Sequence, residues 1–419
     1  MRWEGLPVSP AASVTFIVRH AFIQNIGLLF RFAQLVFSRQ QGSLGGEDAV
    51  TYRDRVGLSG PKKLLALDGG GIRGVLTLEV LAVVEEMLRR ELNSDSDFVL
   101  ADYFDYVAGT STGAIIAAGL ACGMRVKDLS ALYATHGEEM FDRASIIERF
   151  RYKYDCTRLQ DLLQRTFGER TTFGDKRLRT LLMMVLRNAT TDSPWPLSNN
   201  PGAKYNQPGR PDNNLHLPLW QLVRASTAAP TFFPPEAVSV GTRDFVFVDG
   251  GMTMYNNPAF QLFLMATLDV YGLEWETGED KMLVVSVGTG TAPKADDSLR
   301  PGDMNLLFNA TSVPAALMSA ALHEQDFLCR VFGRCRHGAL IDREVGDLKT
   351  SSGISDHRLF TYIRYNAELT RSGLDALGLP DIRPEHIQRL DSVAHVADLQ
   401  RVGARVAREV DRHHFAGFL

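Results

Sequence analysis

The sequence predicts an α/β fold, with a mostly parallel central sheet flanked by helices and with helical N- and C-terminal extensions. Three observations carry this reading. Short apolar runs alternate along the chain with stretches of helical spacing, as expected of strands buried on both faces by crossover helices. The first such run, Lys63-Leu64-Leu65-Ala66-Leu67, passes directly into Asp68-Gly69-Gly70-Gly71-Ile72-Arg73-Gly74. Further on, Gly109-Thr110-Ser111-Thr112-Gly113 occupies the same strand-to-helix setting.

The elements follow in order. Residues 13–37 are apolar but interrupted by Arg19, His20 and Arg31. Their longest uncharged stretch, residues 21–30, is half the length a helix needs to cross a bilayer. It reads as a helix that is greasy on most faces, packed on the protein or on another subunit of a homo-oligomer. Insertion into a membrane interface is the second reading. Residues 40–62, with repeated Gly, Gln, Ser and Pro, read as a connector. Strands are expected over 64–67, 103–108, 181–186, 245–248 and 282–287, and helices over 75–92, 114–122, 217–229 and 258–271. Residues 192–216 are rich in Pro, Asn and Gly and read as a loop or flap, and 291–303 as a polar connector. The remainder reads as mostly helical, with a strand candidate at 358–365. This divides the chain into 1–62 (apolar helix and connector), 63–365 (catalytic domain) and 366–419 (helical extension).

Bulk properties narrow the function. A hydrophobic fraction of 45% and a charged fraction of 22% are those of an ordinary globular protein. The net charge of −4 offers no basic field for a nucleic acid polymer. Four cysteines in this length do not make a disulfide framework, and no short apolar core with a cleavage site opens the chain, so a cytoplasmic setting is expected.

Each glycine motif alone is ambiguous. Gly69-Gly70-Gly71-Ile72-Arg73-Gly74 satisfies the dinucleotide fingerprint, in which a helix N-terminus holds a pyrophosphate. The acidic residues at about the right distance, Asp95 and Asp97, precede the next strand instead of following it. A non-catalytic nucleotide- or phosphate-binding module therefore stands as the alternative. The second motif favours chemistry, because Gly-x-Ser-x-Gly lets a strained turn present a serine hydroxyl at a helix N-terminus. Serine needs a base. None of the ten histidines sits in a recognisable motif near a strand end, whereas Asp249 closes the run Phe245-Val246-Phe247-Val248 and is followed by two glycines. Active sites of parallel sheets gather at carboxyl ends of strands, and Gly69–Gly71, Ser111 and Asp249 all occupy such ends.

These residues resemble the patatin-like phospholipase family, in particular its bacterial members. The likeness covers roughly residues 63–290. It rests on the two glycine motifs and on Asp249-Gly250-Gly251, supported by Ala225-Ser226-Thr227-Ala228-Ala229-Pro230-Thr231-Phe232-Phe233-Pro234-Pro235 and by Asn256-Asn257-Pro258. The resemblance implies a Ser111–Asp249 dyad, an oxyanion hole from Gly69, Gly70, Gly71 and Arg73, and hydrolysis of (phospho)lipid esters at a membrane surface without metal or cofactor. Some bacterial members are switched on by cyclic nucleotides in anti-phage defence. A cyclic nucleotide activator is thus among the partners the resemblance suggests, although no motif of this chain carries it. Near the C-terminus, Arg401, Arg405, Arg408 and Arg412 recur at helical spacing and are expected to line one solvated helix face.

Overall fold

Strand β1 (Lys62–Leu67) lies near the middle of a mixed sheet in a computed structural model that describes residues 50–140, 157–230, 232–293, 300, 306–351 and 357–419. The apolar segment 13–37 falls outside these residues. On one side β1 pairs in parallel with β2 (Tyr106–Thr110), and on the other with β7 (Met282–Val287), so that Leu65 lies between Val107 and Val285. β3 (Leu181–Asn188) runs parallel to β2, β9 (Thr361–Tyr365) to β7, and β8 (Arg334–His337) to β9. β2, β7 and β9 are buried along their whole length, as parallel strands with helices on both faces must be.

The helices cover this sheet. They comprise α1 (Tyr52–Gly57), α2 (Gly74–Glu91), α3 (Leu100–Tyr103), α4 (Thr112–Ala121), α5 (Val126–Met140), α6 (Thr157–Phe167), α7 (Leu219–Ser226), α8 (Ala259–Thr267), α9 (Leu306–Phe332), α10 (Arg371–Ala376), α11 (Pro384–Ile387) and α12 (Val396–Val406). None of the described helices is long and apolar enough to cross a membrane. α4 is buried on every face, which explains why its sequence is apolar without a polar stripe. α12 packs against α2, so the C-terminal residues share the core of residues 51–419.

The far side of β3 departs from the parallel plan. β4 (Ser193–Ser198), β5 (Glu236–Val240) and β6 (Arg243–Asp249) are all in antiparallel pairings. β4 and β6 both pair with residues 186–188 of β3, so they occupy opposite edges of it. β4 also pairs with residues 183–185, which leaves β2 and β6 to share one edge. β2 ends with Thr110 opposite Val185, and β6 ends with Asp249 opposite Leu186. The two strands therefore meet head to head.

Several local expectations are corrected. Within the 40–62 connector, residues 52–57 form a helix because Tyr52 is fully buried, its N–H donating to the carbonyl of Leu178. The strand expected from 103 starts at 106, since residues 100–103 close a helical turn first. The 192–216 loop contains β4 despite Pro194 and Pro196. Two residues apart on an outer strand, these prolines place their missing N–H groups on the unpaired side. The polar β8 was not legible as a strand. The four C-terminal arginines do not share one helix: α12 ends at Val406, Arg401 pairs with Asp381 and Asp398, and Arg412 pairs with Glu91.

Candidate active site

Three chain segments converge where β2 and β6 meet. The first is the glycine loop after β1. Asp68 is buried beneath it, and Arg364 of β9 clamps its carboxylate with bonds of 2.8 and 2.5 Å, also donating to Ser286 Oγ at 2.6 Å. Above this pair the loop's backbone groups are held by residues from two later segments. The Gly69 N–H donates to Asn256 O at 3.1 Å, and Thr289 Oγ1 donates to Gly69 O at 2.8 Å. Gly71 has φ +59°, and a Cβ there would stand 2.3 Å from the carbonyl of Leu390. Among the described residues, no carbonyl or side chain takes the N–H groups of Gly70 and Gly71.

The second segment is the β2–α4 turn. Ser111 sits at φ 55°, ψ −122°, a conformation that costs a non-glycine residue on the order of 1–3 kcal/mol. Packing enforces it. A Cβ on Gly109 would lie 2.0 Å from Gly113 O, and one on Gly113 would lie 2.3 Å from Leu67 O. This crowding is why the motif needs small residues on both sides of the serine. The Ser111 N–H donates to Ser226 Oγ at 3.0 Å, and the Ser226 hydroxyl donates to Val185 O at 2.7 Å. Thus α7 holds the turn from behind.

The third segment is the end of β6. Ser111 Oγ donates to Asp249 Oδ2 at 2.6 Å, while Gly251 N–H donates to Asp249 Oδ1 at 2.7 Å. Burial pushes the Asp249 carboxyl up to about 6, against the opposing pull of the Ser111 and Gly251 hydrogen bonds and the Arg224 charge. Asp249 does end a strand, but one that runs against its neighbour β3. It reaches the carboxyl edge of β2 from the opposite direction.

A cavity of about 250 Å³ opens over this pair. Gly69, Gly70, Gly71, Arg73, Ser111 and Asp249 all line it. Its remaining walls are mostly apolar, with Ile115, Leu159, Phe232, Phe233, Met252 and Met318 prominent and Leu390 beside the glycine loop. No histidine lines it among the described residues. The arrangement can move a proton from a hydroxyl to a carboxylate, and the two glycines whose N–H groups are not taken line the same space.

All six residues singled out from the sequence thus surround one cavity, though not as equals. The Gly69 N–H is already spent on Asn256, and Arg73 Nε points back to Gly70 O at 3.4 Å. Sequence reasoning assigned no role to Ser226 or Asn256, although both lie in stretches that supported the family resemblance. Leu390 was missed entirely, because its loop is more than a hundred residues from the motifs and carries no pattern of its own.

A strained serine bonded to a buried aspartate, beneath a glycine loop on an α/β sheet, defines a class of protein. The comparisons say what that class is similar to. Residues 65–263, just under half of the chain, match the sequence model of the patatin-like phospholipases. A cGAMP-activated phospholipase of Vibrio cholerae is 32% identical over 210 residues, covering 47% of this chain and 56% of that protein. An intracellular phospholipase A2 of Caenorhabditis elegans is 31% identical over 248 residues, or 57% of this chain and 20% of that protein. Patatin-T5 of Solanum tuberosum is 29% identical over 256 residues, or 56% of this chain and 61% of the other. The chain therefore spans between a fifth and about three fifths of these relatives. Among solved structures, VipD from Legionella pneumophila aligns over 82% of this chain and 67% of its own, with a TM-score of 0.35 and 16% identity.

Proposed function

We propose that this protein is a lipid acyl hydrolase that cleaves carboxylic esters through a Ser111 acyl-enzyme. The observation that carries the reading is the 2.6 Å hydrogen bond from Ser111 Oγ to the buried Asp249 carboxylate, at the floor of an apolar cavity. The family likeness supports the substrate class.

Asp249 accepts the hydroxyl proton as Ser111 Oγ attacks the ester carbonyl. With its pKa raised only to about 6, the carboxylate is largely ionised at neutral pH and still basic enough to hold a proton in transit. The N–H groups of Gly70 and Gly71 receive the oxyanion, and Arg73 steadies the loop through Gly70 O. The Gly69 N–H, already bonded to Asn256 O, is not among the donors. Asp249 then protonates the leaving alcohol and activates the water that releases the acyl group. The apolar walls accommodate the acyl chain.

A fluorophosphonate probe followed by peptide mapping tests this directly. Labelling is expected at Ser111 and is expected to vanish in Ser111→Ala. Ester hydrolysis is expected to fall about a thousandfold or more in Ser111→Ala and in Asp249→Asn. Retained turnover in either variant overturns the dyad. A folded protein that neither labels nor hydrolyses esters, but binds nucleotides, would favour the non-catalytic alternative. With soluble esters, kcat/KM is expected to rise roughly fourfold per methylene until the cavity is filled, from about 0.8 kcal/mol per buried CH₂.

Activation by a cyclic dinucleotide is a second reading, favoured by two relatives that carry that property in their names. Equal rates with and without cGAMP, together with no calorimetric binding, would exclude that messenger.

A further inference from the structure

Away from the dyad, His386, His395 and Asp398 bring one donor atom each to within 4.8 Å of one another. They come from three successive elements. His386 is in α11, His395 in the 3-10 turn Val393–His395, and Asp398 in the first turn of α12. The two imidazole rings stack with centroids 4.0 Å apart at 17°, and His395 Nδ1 stands 3.7 Å from Asp398 Oδ2. All three residues are half-buried.

We propose that these residues form a binding site for a divalent transition metal ion of the zinc type. Two imidazoles and a carboxylate are a ligand set that suits zinc, and three protein ligands leave one position for water. Ligand nitrogens and oxygens about 2 Å from a tetrahedral ion stand roughly 3.3 Å from one another, within reach of side-chain rotation from the observed separations. The local charge also fits. Arg401, the cation beside Asp398, is held by both oxygens of Asp381 at 2.7 and 3.0 Å, and touches only Asp398 Oδ1, at 3.4 Å. Asp398 Oδ2 remains turned toward the histidines.

The placement gives such an ion a consequence. His386 and His395 bracket the segment that carries Leu390, whose carbonyl accepts the Ile72 N–H at 2.9 Å beside Gly71. An ion joining the two histidines would close this segment as a staple. It would restrict the loop against which the glycine turn is seated, since a metal bound only by the ordered chain stabilises that order.

The test uses the untagged full chain, stripped with chelator and titrated with Zn²⁺. Calorimetry and elemental analysis are expected to find one tight equivalent. Loss of that equivalent is expected in the His386→Ala/His395→Ala double variant, and at least a tenfold weakening in His395→Gln, which keeps the size of the side chain. Hydrogen exchange in residues 387–395 and at Ile72 is expected to slow when Zn²⁺ is bound. No saturable binding, binding that survives loss of both histidines, or binding that leaves the exchange unchanged each overturns the proposal. None of these readouts depends on ester hydrolysis.

Discussion

At the scale of single residues, the site holds its reactive groups at a cost. Ser111 is held at positive φ, and Asp249 is buried with a pKa raised to about 6 from its ordinary 3.8. Between about pH 4 and 6 the folded chain holds a proton on Asp249 that the unfolded chain has released, so this group's contribution falls as pH rises through that window. Above it the penalty is fully present. Asp249→Asn is therefore expected to stabilise the protein at pH 8, by on the order of 2–3 kcal/mol, and by less at pH 5, as read from urea unfolding at both values. Under the proposed mechanism, hydrolysis by the unmodified protein is expected to do the reverse, rising with pH through about 6 as Asp249 ionises. A kcat/KM profile with no inflection there would contradict the role of Asp249. Ser226 acts through another residue, by holding the Ser111 N–H. Ser226→Ala is expected to lower kcat about tenfold to a hundredfold with KM little changed, since about 1 Å of misplacement can cost that much.

Among elements, the turn between β2 and α4 is the most constrained. α4 is buried on all faces, and its first turn presses on the end of β1 through Gly113. Gly113→Ala is expected to destabilise the protein by about 3 kcal/mol and to reduce hydrolysis, because backbone, not a flexible side chain, stands in the way. Thermal melting read alongside activity checks this. The strand–turn–helix unit was legible in the sequence, since its apolar runs and glycines state local requirements. β4 was not legible, because its prolines are tolerated only on an outer strand, and which strands are outer is not a local property. β8 was hidden for a related reason: Arg334-Cys335-Arg336-His337 pairs only because β9 offers an open edge.

For the whole molecule, residues distant in sequence support the same small region. Asp68 and Arg364 are 296 residues apart in the chain, yet form a buried pair at the ends of β1 and β9. Arg364→Ala leaves Asp68 buried without its countercharge and is expected to cost about 3–5 kcal/mol by chemical denaturation. Joint replacement with Asp68→Leu and Arg364→Met is expected to recover much of that loss, because neither charge is then stranded.

The amino-acid order alone determined the alternation of strands and helices, the two glycine turns and the choice of Ser111 and Asp249 as candidates. Each of these depends on neighbours a few residues away, through backbone sterics and hydrophobic periodicity. Only the tertiary structure decided that β6 runs against β3, so that Asp249 approaches Ser111 head-on. It alone also decided that Ser226, Asn256 and Leu390 are the groups seated around the two turns. Strand direction and long-range hydrogen bonding depend on how the entire sheet closes its core, and a local pattern carries no record of that.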